Sequence, residues 1–460
     1  MKQKNTWHTY DEKQVQETEA FVKGYMTYLD EAKTERESVD VIVNMAEEKG
    51  YVELDRLMND KNQVKAGDLV YAVHQNKMIV LVKVGSRPMS EGVNLLGAHM
   101  DSPRLDVKQN PLYESDGIAY LDTHYYGGIK KYQWVATPLA LHGVVVKKDG
   151  TTVEVNIGEN EDNPVLFVSD LLVHLAQEQM DKKASLFIKG EALDLVVGSR
   201  PEDSEQKEAV KARILQILRD YYEMEEEDFL SAELEIVPAG HAREAGLDRS
   251  MIMAYGQDDS SCVYTALHAL FDCEQSERTC VCIFVDKEEI GSHGATGMRS
   301  KFFENVLAEV MELKEGYNEL QFRRCMMNSN FLSADVSSCF DPMYSDSFEK
   351  KNVAYLGCGI VINKYTGSRG KSGANDANAE FLAKIRNIFA EKQVNFQTAE
   401  YGRVDLGGSG TISHILAGYG MNVVDCGVAV MNMHAPYEVT SKADIYETKR
   451  GYQAFLELAD

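Results

Sequence analysis

The sequence predicts an α/β protein: an α/β/α sandwich around a mixed sheet, with a β-rich domain inserted into it. Three observations carry this. From residue 250 onward, short apolar runs alternate with helix-period segments, the pattern of strands covered by helices. The run Cys280-Val281-Cys282-Ile283-Phe284-Val285 is apolar at every position, as a strand buried on both faces should be. Between residues 107 and 240 the texture shifts to strand-like stretches joined by turns.

Taken in order, the first fifty residues read as amphipathic helix, with Phe21, Tyr25 and Leu29 at four-residue spacing. Residues 69–73 and 78–82 are strand-like runs either side of a polar turn. Residues 93–98 form another apolar strand, which ends on His99. In the middle region, residues 139–146 and 152–157 read as strands, and Lys148-Asp149-Gly150 supplies a hairpin turn. Acidic stretches at 201–208 and 223–228 flank a helical segment at 210–222. Farther on, Val263, Ala266, Leu267 and Leu270 make one helical face, and residues 302–313, 379–389 and 446–458 are further amphipathic helices. The predicted organisation is residues 1–106 and 241–460 as one catalytic domain, interrupted by an inserted domain at 107–240. One continuous large domain is the alternative.

Composition narrows the function. The chain has 460 residues and a formal charge of −25, from 73 acidic against 48 basic side chains. Such a surface repels phosphate backbones and anionic lipid, which excludes nucleic acid and membrane as expected partners. No apolar stretch approaches the roughly 20 residues that span a bilayer, and the polar start offers no secretory signal. Eight scattered cysteines without a Cys-x-x-Cys pair read as reduced core thiols, so the expected location is cytoplasmic.

The chemistry-bearing residues sit at segment ends. His99 and Asp101 stand two apart directly behind an apolar strand, and on extended backbone such residues point the same way. Asp258-Asp259, Glu288-Glu289, Asp335 and His434 follow, each beside an apolar or glycine-rich segment. In open α/β sheets ligands collect at the carboxyl ends of strands, where both His99 and residues 286–289 fall. Imidazoles and carboxylates are what a two-metal hydrolytic site requires, together with a bridging carboxylate and a general base. Each residue also has a structural role open to it. Asp258 can cap a helix starting near Ser260, Glu288-Glu289 can be a solvated strand end, Asp335 can start a turn, and His99 and His434 can hydrogen-bond a loop. The acidic run 223–228 lacks the glycine-turned calcium loop and reads as solvated.

The ordered segments Gly97-Ala98-His99-Met100-Asp101-Ser102-Pro103-Arg104-Leu105-Asp106, Gln257-Asp258-Asp259, Asp286-Lys287-Glu288-Glu289-Ile290-Gly291-Ser292, Ser333-Ala334-Asp335 and Met433-His434 resemble the signatures of the aspartyl aminopeptidase and aminopeptidase I family of dinuclear zinc metallopeptidases. The resemblance points to a bacterial member. It implies a metal-dependent aminopeptidase that removes N-terminal residues from peptides. One zinc ion would take His99, Asp258 and Asp335, and the other Asp258, Glu289 and His434, with Asp258 bridging. Cobalt or manganese could replace zinc. Glu288 would be the general base, Asp101 would bond the far nitrogen of His99, and the Asp258-Asp259 peptide would be cis. The inserted domain would cover the site and pair subunits, as dimers that assemble into a tetrahedral dodecamer. The segment Leu171-Leu172-Val173-His174-Leu175-Ala176 resembles the one that carries a histidine, here His174, into a neighbouring subunit's site. Lys364 lies near a basic residue that meets substrate in the family. Gly410, within Gly407-Gly408-Ser409-Gly410-Thr411, could offer its backbone N–H to substrate.

One departure bears on specificity. Aspartyl-specific members carry a histidine shortly after the Ser-Ala-Asp segment, and here Val336-Ser337-Ser338-Cys339-Phe340 follows. That favours neutral or apolar first residues, with acidic ones the alternative. Two other readings stand beside this one. A dinuclear carboxypeptidase or N-acyl amino acid deacylase would use the same chemistry, and a non-catalytic scaffold would keep the fold alone.

Overall fold

The computed structural model describes residues 4–202, 207–408 and 410–459. Part of the acidic stretch 201–208 and Ser409 of the glycine-rich turn lie outside the described residues. The chain divides into two compact units. The first runs to Asp101, resumes over Ala242–Met433 and again from Glu438, and the second comprises Ser102–His241 with His434–Tyr437.

The first unit is built on a nine-stranded mixed sheet. Its spatial order is Val52–Glu53, Leu69–His74, Met78–Lys83, Cys280–Val285, Asn94–His99, Asn330–Ser333, Asn422–Gly427, Ile360–Asn363 and Phe396–Ala399. At its centre Asn94–His99 lies parallel to both Cys280–Val285 and Asn330–Ser333, with Val285 directly opposite His99. Met78–Lys83 runs antiparallel to Cys280–Val285, and Ile360–Asn363 antiparallel to Asn422–Gly427.

Alternation along Cys280–Val285 feeds two separate cores. Cys280, Cys282 and Phe284 join one that includes Tyr25, Leu267, Phe389 and Phe455. Val281, Ile283 and Val285 join the other, with Phe303, Val310 and Met326. The residues in the first core come from helices Glu12–Glu31, Gln257–Phe271, Ala379–Glu391 and Lys442–Leu458. Those in the second come from Phe302–Glu315 and Glu319–Asn328. Side chains two apart share a face, so a strand that is apolar throughout requires helices on both sides. This is the α/β/α sandwich that the sequence predicts.

The helical start resolves into Glu12–Glu31 and Glu35–Glu48, each opened by a reciprocal capping box, Asp11 with Gln14 and Thr34 with Glu37. A smaller five-stranded sheet in the same unit places Glu438–Ser441 antiparallel to Met251–Ala254.

The second unit is β-rich. Seven strands, ordered Thr152–Ile157, Leu139–Val146, Ala232–Pro238, Arg104–Ser115, Ile118–Tyr126, Leu195–Gly198 and Phe167–Val168, pair antiparallel throughout. The expected hairpin is present: the Lys147 amide donates to the Thr151 carbonyl, and Gly150 takes positive φ. The expected helix is Ala209–Tyr222. Arg104 is buried, held 2.9 Å from Asp106 and 3.2 Å from Glu235, with its guanidinium 4.0 Å from the centre of the Tyr126 ring.

All eight cysteines are buried and unpaired. Among the described residues no helix is long and apolar enough to cross a membrane.

Gly427 ends its strand against the segment that carries Asp335: a Cβ there would lie 2.0 Å from the Asp335 carbonyl oxygen. Gly427→Ala is expected to cost about 1–3 kcal/mol through overpacking, read as a lowered denaturation midpoint. Gly370→Ala, where a Cβ meets nothing within 4 Å, serves as the control that leaves the midpoint unchanged.

Candidate metal centre

Three parallel strands deliver the site to one edge of the central sheet. Asn94–His99 ends on His99, which is 2% exposed, and Cys280–Val285 leads into Glu288 and Glu289. Asn330–Ser333 leads into Asp335. The ring of His99 is oriented from behind: its Nδ1 lies 2.9 Å from the Asp101 carbonyl oxygen and 3.5 Å from Asp101 Oδ1. With Nδ1 donating to that carbonyl, the lone pair of Nε2 faces forward, and Nε2 lies 3.2 Å from Asp258 Oδ1.

The resemblance assigns the Asp101 carboxylate to the imidazole, but it has a second task. Its two oxygens accept the backbone amides of Glu288 and Glu289, each at 3.1 Å. Asp101 is fully buried and therefore fixes the turn from which both glutamates project. That turn begins at Lys287, with φ 70°, and continues through a short helical turn at Glu288–Ile290. Below it, burial pushes the Asp286 carboxyl up to about 6, and Thr296 donates to it at 2.6 Å.

Asp258 sits at the head of Gln257–Phe271, where Asp258 and Asp259 themselves have non-helical backbone angles. The Asp258-Asp259 peptide is cis, as the resemblance implies. Two further buried carboxylates hold this corner, of which sequence reasoning missed Glu438. Glu438 accepts the Asp258 amide at 2.8 Å, and Asp259 accepts the His99 amide at 3.4 Å. Asp259 is visible in sequence only as the second half of an acidic pair, and Glu438 only as an acid four residues beyond His434.

The ligand atoms of His99, Asp258 and Asp335 lie within 4.8 Å of one another, as do those of His99, Glu288 and Glu289. Burial, then the charges of Asp259 and Glu288, hold the Asp335 carboxyl well above its usual range. Burial opposes charge on His99, yet Asp101, Asp258 and Asp259 together raise its pKa well above normal. Crowded carboxylates disfavour one another's ionisation, and a divalent cation among them would relieve that. One imidazole with several carboxylates suits zinc.

His434 belongs to the second unit, with its Nδ1 2.9 Å from the Gly128 carbonyl oxygen. His174 lies on the exposed turn Val173–Leu175 of that unit. Lys364 is exposed at the end of Ile360–Asn363, 3.6 Å from Asp376. Gly410 is exposed, next to Thr411, whose hydroxyl donates to the buried Asp425 at 2.6 Å. After Asp335, Val336 and Ser337 are buried, and Ser337 lies 3.3 Å from Asn363.

A mixed α/β sandwich that gathers an imidazole and carboxylates at the carboxyl ends of its parallel strands defines a metal-dependent hydrolase. Residues 28–456 match the family described as aminopeptidase I zinc metalloprotease (M18). The chain belongs to that family and is a zinc aminopeptidase, a peptide-bond hydrolase. It is 56% identical over 454 residues to a probable M18 family aminopeptidase 1 of Clostridium acetobutylicum, covering 98% of each chain. The crystal structure of the M18 aminopeptidase from Thermotoga maritima matches with TM-score 0.94 at 44% identity, over 99% of both chains. The S. cerevisiae mApe1 dodecamer shares the fold, with TM-score 0.76 at 18% identity over 94% of this chain and 95% of that one.

Asp101→Asn keeps the shape but exchanges one acceptor oxygen for a donor facing an amide. Zinc affinity is expected to fall about 10- to 100-fold, measured by competition with a chromogenic chelator. Wild-type affinity in the variant would mean that the glutamate turn holds without Asp101.

Proposed function

We propose that the centre holds two zinc ions, one on His99, Asp258 and Asp335 and the other on Asp258, Glu289 and His434, with Asp258 shared. Cobalt or manganese could substitute. Support for the first set comes from the convergence of its ligand atoms, and the assignment of His434 rests on the family resemblance. Bound zinc supplies Lewis-acid chemistry, activating water and polarising the scissile carbonyl.

The residues of the chain do the rest. Glu288 takes the proton of the attacking water and later hands it to the leaving amine. Its neighbour Glu289 is assigned to metal; a carboxylate oxygen of each glutamate lies within 4.8 Å of the other and of a ring nitrogen of His99. Asp101 fixes that turn and, through its carbonyl, the tautomer of His99. The single observation carrying this division of labour is the pair of consecutive amides clasped by one buried carboxylate.

Substrates are peptides with a free amino terminus and a neutral or apolar first residue. Val336-Ser337-Ser338 supplies no basic group behind Asp335 to meet an acidic side chain. Acidic first residues are the alternative. Lys364 and the Gly410 amide are assigned to substrate contact. The β-rich unit acts as a lid and pairs copies of the chain, which assemble as a tetrahedral dodecamer in the cytoplasm, with His174 reaching a neighbouring copy's site. The exposed apolar side chains Leu171, Leu172, Val173 and Leu175 around it and the dodecameric state of the yeast relative support this reading.

Glu288→Gln is expected to keep its zinc content and lose at least about 100-fold in kcat, the upper part of the range for a general base. Near wild-type turnover would refute the base assignment. Removing metal with a chelator should abolish peptide hydrolysis, and zinc, cobalt or manganese should restore it. With one test peptide, mass spectrometry should find stepwise shortening from the amino end only. Shortening from the carboxyl end would install a carboxypeptidase in its place, and an inert peptide with rapid release of an acyl group would install a deacylase.

A further inference from the structure

Gln257 stands directly before Asp258 and has no role in the scheme above. Its side chain is fully buried, as are those of Tyr25 and Thr440. Beside it the strands Met251–Ala254 and Glu438–Ser441 run antiparallel, with Ala254 opposite Glu438 and Ile252 opposite Thr440. The carboxamide of Gln257 reaches across this pair. Its Nε2 donates to the Ile252 carbonyl at 3.2 Å and to the Glu438 carbonyl at 2.7 Å. Its Oε1 accepts the Thr440 hydroxyl at 2.6 Å. The same oxygen accepts, at 3.2 Å, the hydroxyl of Tyr25 from helix Glu12–Glu31.

The amide can face only one way. Backbone carbonyls accept and never donate, so the nitrogen must face them, and the oxygen then meets the two hydroxyls. Both N–H donors and both acceptor positions are used, as a buried amide requires. Glutamate lacks the donors, and asparagine is one carbon short of the same reach.

The backbone explains why such an anchor is needed. The helix starts behind Gly256, with φ 70°, and Asp258 and Asp259 depart from helical angles. The first amides of a helix have no partner within it, so the helix alone does not fix Asp258. Glu438 holds both sides of the Gln257-Asp258 link. Its carbonyl takes the Gln257 side chain, and its carboxylate takes the Asp258 amide at 2.8 Å.

We propose that Gln257 is a positioning residue for the metal centre. Its four hydrogen bonds clamp the residue before Asp258 to two strands and to the first helix, and so aim the Asp258 carboxylate. A ligand already held in place binds metal without first being ordered. The inference rests on the two-zinc reading given above, in which Asp258 is shared. Gln257 therefore acts on both ions at once.

The test is Gln257→Met in the full-length protein, a side chain of similar length without strong donors or acceptors. Metal-free wild type and variant are titrated with zinc against a chromogenic chelator. Both binding steps should weaken about 10- to 100-fold in the variant. Melting each protein with and without zinc separates positioning from packing. A bound ion stabilises the folded form by an amount that grows with its affinity, so the rise in midpoint that zinc produces should shrink. A packing role would lower both midpoints and leave that rise intact. Two zinc affinities within about threefold of wild type, or weakening of one ion alone, would overturn the proposal.

Should the methionine variant fail to fold, Thr440→Val removes one donor to Oε1 and keeps the shape of the side chain. Both zinc affinities should then fall about two- to tenfold, and unchanged affinities overturn the proposal. The two readings fail separately. A wild type that takes up a single zinc ion sinks the shared-ligand reading. A wild type with two ions, and a Gln257→Met that holds both as tightly, sinks only the role of Gln257.

Discussion

The arrangement depends on one buried carboxylate accepting two consecutive amides. Asp101 lies just past one strand, and Glu288 and Glu289 lie just past its parallel neighbour. Parallel pairing with Val285 opposite His99 brings the two strand ends level, and the Asp101 clasp turns that register into a fixed turn. A slip of one residue would reverse the faces of Cys280–Val285, sending Phe284 into the wrong core. Packing on both faces of the sheet therefore specifies the position of the glutamates.

Much of this was legible in the sequence, for identifiable reasons. Cys280–Val285 is apolar at every position, so it declared itself a covered strand. His99 ended an apolar run, and strand ends are where such sheets place their chemistry. Lys148-Asp149-Gly150 named its own hairpin. What escaped notice depends on contacts between distant segments. Glu438 acts on the Asp258 amide and Asp259 on the His99 amide, and no local pattern announces either pairing. The task of Asp101 was half legible. Its spacing from His99 placed it behind the imidazole, but the amides it holds come from residues almost two hundred positions later. The last helix begins at Lys442, before the apolar periodicity makes it visible, because its first turn buries polar side chains, including Lys442 and Asp444.

Charge links the centre to the stability of the whole. Asp258, Asp259 and Asp335 are close enough to perturb one another, and the charge of a protonated His99 would partly offset them. Without a metal, such a cluster holds protons that it would release on binding one. Metal binding is then coupled to proton release and to folding, and the folded form should gain more from the ion than a peripheral site would. The net charge of −25 adds a long-range field that draws cations toward the protein.

The strand Asn94–His99 has both of its sheet neighbours, Cys280–Val285 and Asn330–Ser333, on the far side of the inserted β-rich unit. During synthesis it leaves the ribosome long before either partner exists. At about 5–20 residues per second, the wait for the first of them is about 10–40 s. A strand with an apolar middle and two unpaired edges spends that interval unprotected, while the insert, whose strands pair among themselves, is free to fold. The nascent chain should be most in need of a chaperone during that interval, and codon choice across the insert would set its length.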